Sequence, residues 1–143
     1  MGMITQAASF KSPCSYCGQE GTGWNVQLVR DAELFWETEL ECHACGLVVH
    51  DGDPGAAPEK IRESLLLQHG NFLLRLEEPV GAGVKILKVF RDALGGSMAE
   101  AKEHSRKLSA GEFEGTSVEL RFLRDRFLKE GIEVLIEDGP PIR

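Results

Sequence analysis

Four cysteines stand in two matching frames, Cys14-Ser-Tyr-Cys17-Gly18 and Cys42-His43-Ala44-Cys45-Gly46, with 24 residues between them. The chemistry this spacing suits is ligation of one metal ion. A two-residue spacer lets both sulfurs of a pair reach one ion from a tight turn, and four thiolates from two such turns match the tetrahedral preference of zinc. The glycine after each second cysteine lets the chain reverse where a side chain would obstruct it. Two disulfides are the plainer alternative for an even cysteine count. Met1 to Ser12 has neither an apolar run nor a small-residue cleavage site, so the expected compartment is the reducing cytoplasm, where such pairs hold metal. A thioredoxin-like redox role is disfavoured, because neither pair opens a helix in a β-α-β context. A catalytic zinc is disfavoured too, since four sulfurs leave no coordination position for water. The metal ligands are therefore assigned as Cys14, Cys17, Cys42 and Cys45, the cofactor as zinc, and His43 and His50 as outer or exposed residues.

The elements that must position these turns are short. Trp24 to Arg30 and Leu34 to Leu40 read as strands, with Arg30-Asp31-Ala32 near their turn, and Leu47-Val48-Val49 reads as a third. That is the layout of a zinc ribbon spanning residues 1–50, with residues 1–12 as a polar tail. Trp24, Phe35 and Trp36 admit two readings, a stacking surface for a base or a peptide and packing around the metal; the second is expected, because so small a module has little other core to build. Asp51 to Pro58 is dense in Pro, Gly and Asp and reads as a linker. It leads into a short helix from Glu59 to His69 with Ile61, Leu65 and Leu66 on one face and Gly70 as its stop.

Of 143 residues, 42% are hydrophobic and 27% charged, enough for one ordinary domain or two small ones. No apolar stretch approaches the roughly 20 residues a bilayer-crossing helix needs, so no membrane role is expected. The net charge is −7. Residues 1–50 carry only Lys11 and Arg30 against six carboxylates, which makes the ribbon a poor phosphate binder and argues against nucleic acid as its partner.

From Asn71 the hydrophobic period changes. Phe72, Leu74 and Leu76 alternate as a half-buried strand ending at Glu77-Glu78-Pro79. Val84 to Leu94 reads as a helix with Val84, Leu87, Phe90 and Leu94 inward. Ser97 and Glu100 form a capping box for a second helix, in which Met98, Ala101, Ser105 and Leu108 line the inner face. A very short strand around Phe113 follows. Thr116 and Glu119 cap a third helix with Leu120, Leu123 and Phe127 inside, and Ile132, Val134 and Ile136 alternate along a last strand. The expected fold class is α+β: an N-terminal β zinc ribbon (1–50), a linker and short helix (51–70), a β-α-α-β-α-β domain with helices on one face of a small antiparallel sheet (71–138), and a tail (139–143).

Residues 71–137 resemble the C-terminal domain of the acidic ribosomal stalk protein of the bacterial large subunit. The likeness is densest in Val84-Lys85-Ile86-Leu87-Lys88-Val89-Phe90-Arg91-Asp92-Ala93-Leu94-Gly95 and Met98-Ala99-Glu100-Ala101-Lys102, and returns in Leu128-Lys129-Glu130-Gly131-Ile132-Glu133-Val134. The resemblance implies a protein-binding module that meets translation GTPases, or the ribosome, through its first two helices. The family's contact positions fall on Val84, Leu87, Lys88, Arg91 and Lys102, and Lys85 adds a cation where the family has alanine. Gly83 and Ser97 replace a family lysine and glycine, and the family's N-terminal dimerisation and anchoring helices are not in this sequence. The chain is therefore read as something other than the stalk itself.

For catalysis the sequence offers little. His69 and His104 have no evident acid or serine partner, and no phosphate-cradling glycine motif occurs. The reading is a non-enzymatic, cytoplasmic, zinc-binding adaptor or translation-associated protein that binds a protein through a basic helical face. The alternatives are a zinc-ribbon nucleic-acid regulator or, by fold-level analogy, a protease adaptor.

Overall fold

The computed structural model describes residues 4–77 and 83–142, in an α+β arrangement of seven strands and four helices. The chain divides into two compact units, with the boundary between His69 and Gly70.

The first unit is a four-stranded antiparallel meander, β1 (Thr5–Pro13), β2 (Glu20–Arg30), β3 (Glu33–Glu41) and β4 (Val48–Pro54), followed by helix α1 (Glu59–His69). Two expectations are corrected here. Residues 5–12, read as a tail, form β1 and pair with β2 along their whole length, from Thr5 opposite Leu28 to Ser12 opposite Gly21. Residues 51–54, read as linker, are the far part of β4, paired with β3 as far as Pro54 opposite Phe35. Both are edge strands. The Asp, Gly and Pro that make 51–54 look irregular are residues that blunt an exposed edge against further pairing.

Glycine explains why β2 looks shorter in sequence than it is. A Cβ at Gly23 would strike the Phe10 ring and the carbonyl of Glu39, so the ring of β1 lies directly over bare backbone of β2. The β2–β3 connection is the two-residue turn Asp31-Ala32, with φ of 51° and 64°. Two left-handed residues in succession give the turn whose twist matches that of the flanking strands.

Direct partners in the ladder share a face. Ala8, Asn25 and Thr38 lie on one face, and α1 packs there: Ala8, Ile61 and Leu65 form a buried cluster with Trp36 and Ala57 against it. Asn25 donates to the Ser64 hydroxyl at 3.0 Å and accepts from Thr38 at 2.8 Å. Burying Ile61, Leu65 and Leu66 is worth about 1.5–3 kcal/mol each, which fixes α1 to this sheet.

The second unit runs β5 (Phe72–Leu76), α2 (Gly83–Leu94), α3 (Met98–Ala110), β6 (Phe113–Gly115), α4 (Ser117–Lys129) and β7 (Val134–Asp138), with strand order β6-β5-β7, all antiparallel. Glu78 and Pro79 lie outside the described residues. Both capping boxes are formed, Ser97 with Glu100 and Thr116 with Glu119. Phe90, Phe127, Leu74, Leu108, Leu120 and Leu123 are the fully buried centre, with Phe90 edge-on to Phe127 at 5.4 Å.

The expected inner face of α2 is rotated. Ile86, Val89 and Phe90 are buried, whereas Val84 is 83% exposed. The helix is apolar on more than one side, so periodicity alone admits two stripes, and packing on α3 and α4 selects the one centred on Phe90. Met98, also expected inside, is exposed at the first turn of α3. The tail is held at its start: Asn71 accepts from the Gly139 N–H at 2.8 Å and donates to the Pro140 carbonyl at 3.1 Å.

Candidate metal centre

The β1–β2 and β3–β4 connections lie at one end of the meander and the Asp31-Ala32 turn at the other. Each of the two connections carries one cysteine pair, and their backbones follow the same pattern. Cys14 N–H donates to Gln19 O at 2.7 Å and Gly18 N–H to Cys14 O at 3.0 Å; Cys42 N–H donates to Leu47 O and Gly46 N–H to Cys42 O, both at 2.8 Å. Gly18 and Gly46 have φ of 77° and 81°, the left-handed conformation that closes each knuckle at little cost only for glycine.

The four Sγ atoms all lie within 4.8 Å of one another. Two contacts cross between the knuckles, Cys14 to Cys45 at 3.7 Å and Cys17 to Cys42 at 3.5 Å. Sulfurs about 2.3 Å from a shared tetrahedral ion stand roughly 3.8 Å apart, so the arrangement fits a four-sulfur metal site. Cys14 and Cys42 are buried, while Cys17 and Cys45 reach the surface.

Backbone N–H groups of Cys17 and Tyr16 directed at Cys14 Sγ, the latter at 3.4 Å, hold its thiol down at about 7. The Cys45 and Ala44 N–H groups, against desolvation, likewise lower Cys42. At Cys45 the Leu47 N–H pulls downward, but desolvation and the three neighbouring sulfurs outweigh it and push the thiol up to about 12. Amide donors can thus support only part of the negative charge of four thiolates, and a bound cation would supply the rest. Four cysteines this close can hold a metal ion.

Among the described residues this is the one cluster with metal-ligating composition. His43 Nε2 is hydrogen-bonded to the Thr22 hydroxyl at 3.3 Å, and His50 sits on β4 opposite Glu39, both exposed. Thr22 as the holder of His43 could not be read from the sequence, because the contact spans both knuckles.

The aromatic residues are not gathered at the cysteine cluster. Phe35 and Trp36 are near the Asp31-Ala32 end of the sheet, where the Arg30 guanidinium lies 4.6 Å from the Phe35 ring and Trp36 faces α1. Trp24 is 55% exposed. The knuckles need no aromatic packing because α1 supplies the missing core.

In the second unit, Val84, Lys85, Lys88, Arg91 and Lys102 are exposed and Leu87 is half-buried. Lys88 makes a long ion pair, 3.9 Å, with Glu130. No helix among the described residues is long and apolar enough to cross a membrane. The molecule thus belongs, by fold and site, to the α+β proteins with a four-cysteine knuckle centre. No protein-family model, curated protein or solved structure matches this chain.

Proposed function

We propose that the chain is a non-enzymatic zinc protein of the cytoplasm that acts as an adaptor, binding a protein partner through the outer face of α2 and the start of α3. Zinc is the ion that four sulfurs at these separations suit best, and four sulfur ligands make it a structural ion with no position left for substrate. A reducing compartment keeps such thiols available.

The observation that carries the adaptor reading is the second, outward stripe of α2. Val84 is 83% exposed beside half-buried Leu87, and Lys88 and Arg91 share that stripe at helical spacing. Stability gives no reason to leave that valine in water, whereas an apolar centre rimmed by cations is the make-up of a protein-binding patch. The resemblance of residues 71–137 to the ribosomal stalk domain names the class of partner, a translation GTPase or the ribosome.

The test is affinity capture from lysate with the intact chain and with a Lys88→Glu, Arg91→Glu variant. Capture of a translation GTPase or of ribosomes that the reversal abolishes supports the reading. Capture indifferent to the reversal, or none, removes it.

A further inference from the structure

The face of the β1–β4 sheet turned away from α1 carries a feature that neither the metal centre nor the α2 stripe uses. The ladder sets one row across it as Ser9, Trp24, Glu39 and His50, and the next row toward the knuckles as Lys11, Thr22, Glu41 and Val48. Trp24 sits mid-sheet on an inner strand, yet more than half of it is in water. Its neighbours across the ladder, Ser9 and Glu39, are too small or too polar to cover an indole.

Charge on this face is one-sided. Every second residue of β3 faces this way, so Glu37, Glu39 and Glu41 form a row along the strand. The two cations of the face are already engaged: Lys11 with Glu20 at 3.8 Å and Arg30 with Glu37 at 3.1 Å. Among the described residues no ion pair reaches Glu39 or Glu41. An exposed indole beside two unpaired carboxylates is an arrangement for a cation, and for guanidinium above all. That planar ion stacks on an aromatic face while its N–H fork meets a carboxylate.

We infer that this sheet face is a docking surface for an arginine-bearing extended segment of a protein partner, with Trp24 as the stacking platform and Glu39 and Glu41 as its charge partners. The spacing agrees. Same-side residues of an extended peptide repeat about every 6.8 Å, the same repeat that separates successive glutamates along β3. The sign of the face excludes a phosphate backbone, which these carboxylates would repel. The inference is independent of the α2 stripe and of the partner proposed for it.

The experiment titrates the zinc-loaded full chain with the probe acetyl-Arg-Val-Arg-Val-Arg-amide at low salt, following the indole resonances by NMR. In parallel it uses Trp24→Ala, a Glu39→Gln, Glu41→Gln double variant, and the Lys88→Glu, Arg91→Glu variant. Saturable binding tighter than about 1 mM that perturbs the Trp24 indole is expected. Either sheet-face variant should weaken it about tenfold, with the α2 variant unchanged. Metal content of one ion per chain confirms that each variant is folded, and the glutamine variant, which removes no packing, carries the test if Trp24→Ala does not fold. Binding unaffected by the glutamines, equal binding of the Glu-Val-Glu-Val-Glu peptide, tighter binding of a single-stranded oligonucleotide, or self-association lost in Trp24→Ala would each overturn the inference.

Discussion

Gln68, the penultimate residue of α1, exchanges two hydrogen bonds with Ser9 of the edge strand β1: its Oε1 accepts from the Ser9 N–H at 3.2 Å and its Nε2 donates to the Ser9 carbonyl at 2.6 Å. A side-chain amide presents the same donor and acceptor as a peptide unit, so Gln68 occupies the place of a further strand. His69 adds to this at the Ala7 carbonyl, 2.6 Å away. Removing the amide with Gln68→Ala should cost about 1 kcal/mol, since two partly solvated hydrogen bonds are lost. It should also open the edge to other chains. Chemical denaturation and light scattering would measure the two effects, and an unchanged midpoint with no added association would contradict them.

Metal removal should act on the two units unequally. With zinc chelated, the 4–69 meander loses the tie between its two knuckles and should lose its β-sheet amide dispersion in NMR, while resonances of 70–142 persist. Cys42→Ser, at a buried ligand, should lower zinc affinity by at least about tenfold and reproduce the loss in part. Retention of the dispersed β1–β4 signals in excess chelator would show that the fold does not depend on the ion.

Gly23→Ala should destabilise the first unit by about 2–4 kcal/mol, because the new methyl meets both the Phe10 ring and the Glu39 carbonyl, and the latter cannot rotate away. Gly18, with open space where its Cβ would be, should be harmed through its positive φ alone and by less, about 1 kcal/mol. Thermal melts of the two alanine variants side by side would establish the order.

His104 packs tilted against Phe90 at 5.4 Å and edge-on to Phe113 at 5.6 Å, completing a three-ring cluster. Desolvation there, reinforced by Lys107 and opposed by Glu100 and Glu103, lowers its pKa below the usual value of 6.5. A histidine lowered in the folded state is held neutral by folding. Its contribution is therefore present above about pH 6.5 and is lost as pH falls through the lower folded value. Between pH 7.5 and 5 the second unit should lose stability, and His104→Leu should flatten that loss. Staying above pH 5 keeps Glu103, whose carboxyl Arg106 lowers from 4.5, out of the titration.

The knuckles were legible because ligand spacing is a local property, and the helices α3 and α4 because capping boxes are too. What escaped was decided at a distance. Thr5 to Ser12 alternates weakly, since Ala8 is small to admit α1 and Phe10 finds its contact on a glycine of the next strand. Residues 51–54 continue the expected strand at Val48-Val49 because β3 offers them a partner, against the preference of their own Asp, Gly and Pro. The place of Trp36 is hidden for the same reason: the residues it packs against, Ile61 and Leu65, arrive some 25 positions later. In α2 two apolar stripes compete, and only the aromatic cluster around Phe90 decides between them.

The two knuckles hang from the two strands of the β2–β3 hairpin, at Glu20 and Glu41, with Asp31-Ala32 at its far end. Sliding β3 along β2 by two residues would leave every side chain on its proper face, so hydrophobic patterning alone would accept the slip. It would also carry one knuckle about 6.8 Å past the other, whereas the sulfurs must meet within 4.8 Å. An ion bound here therefore proofreads strand alignment: it closes only over a hairpin that has counted its residues correctly.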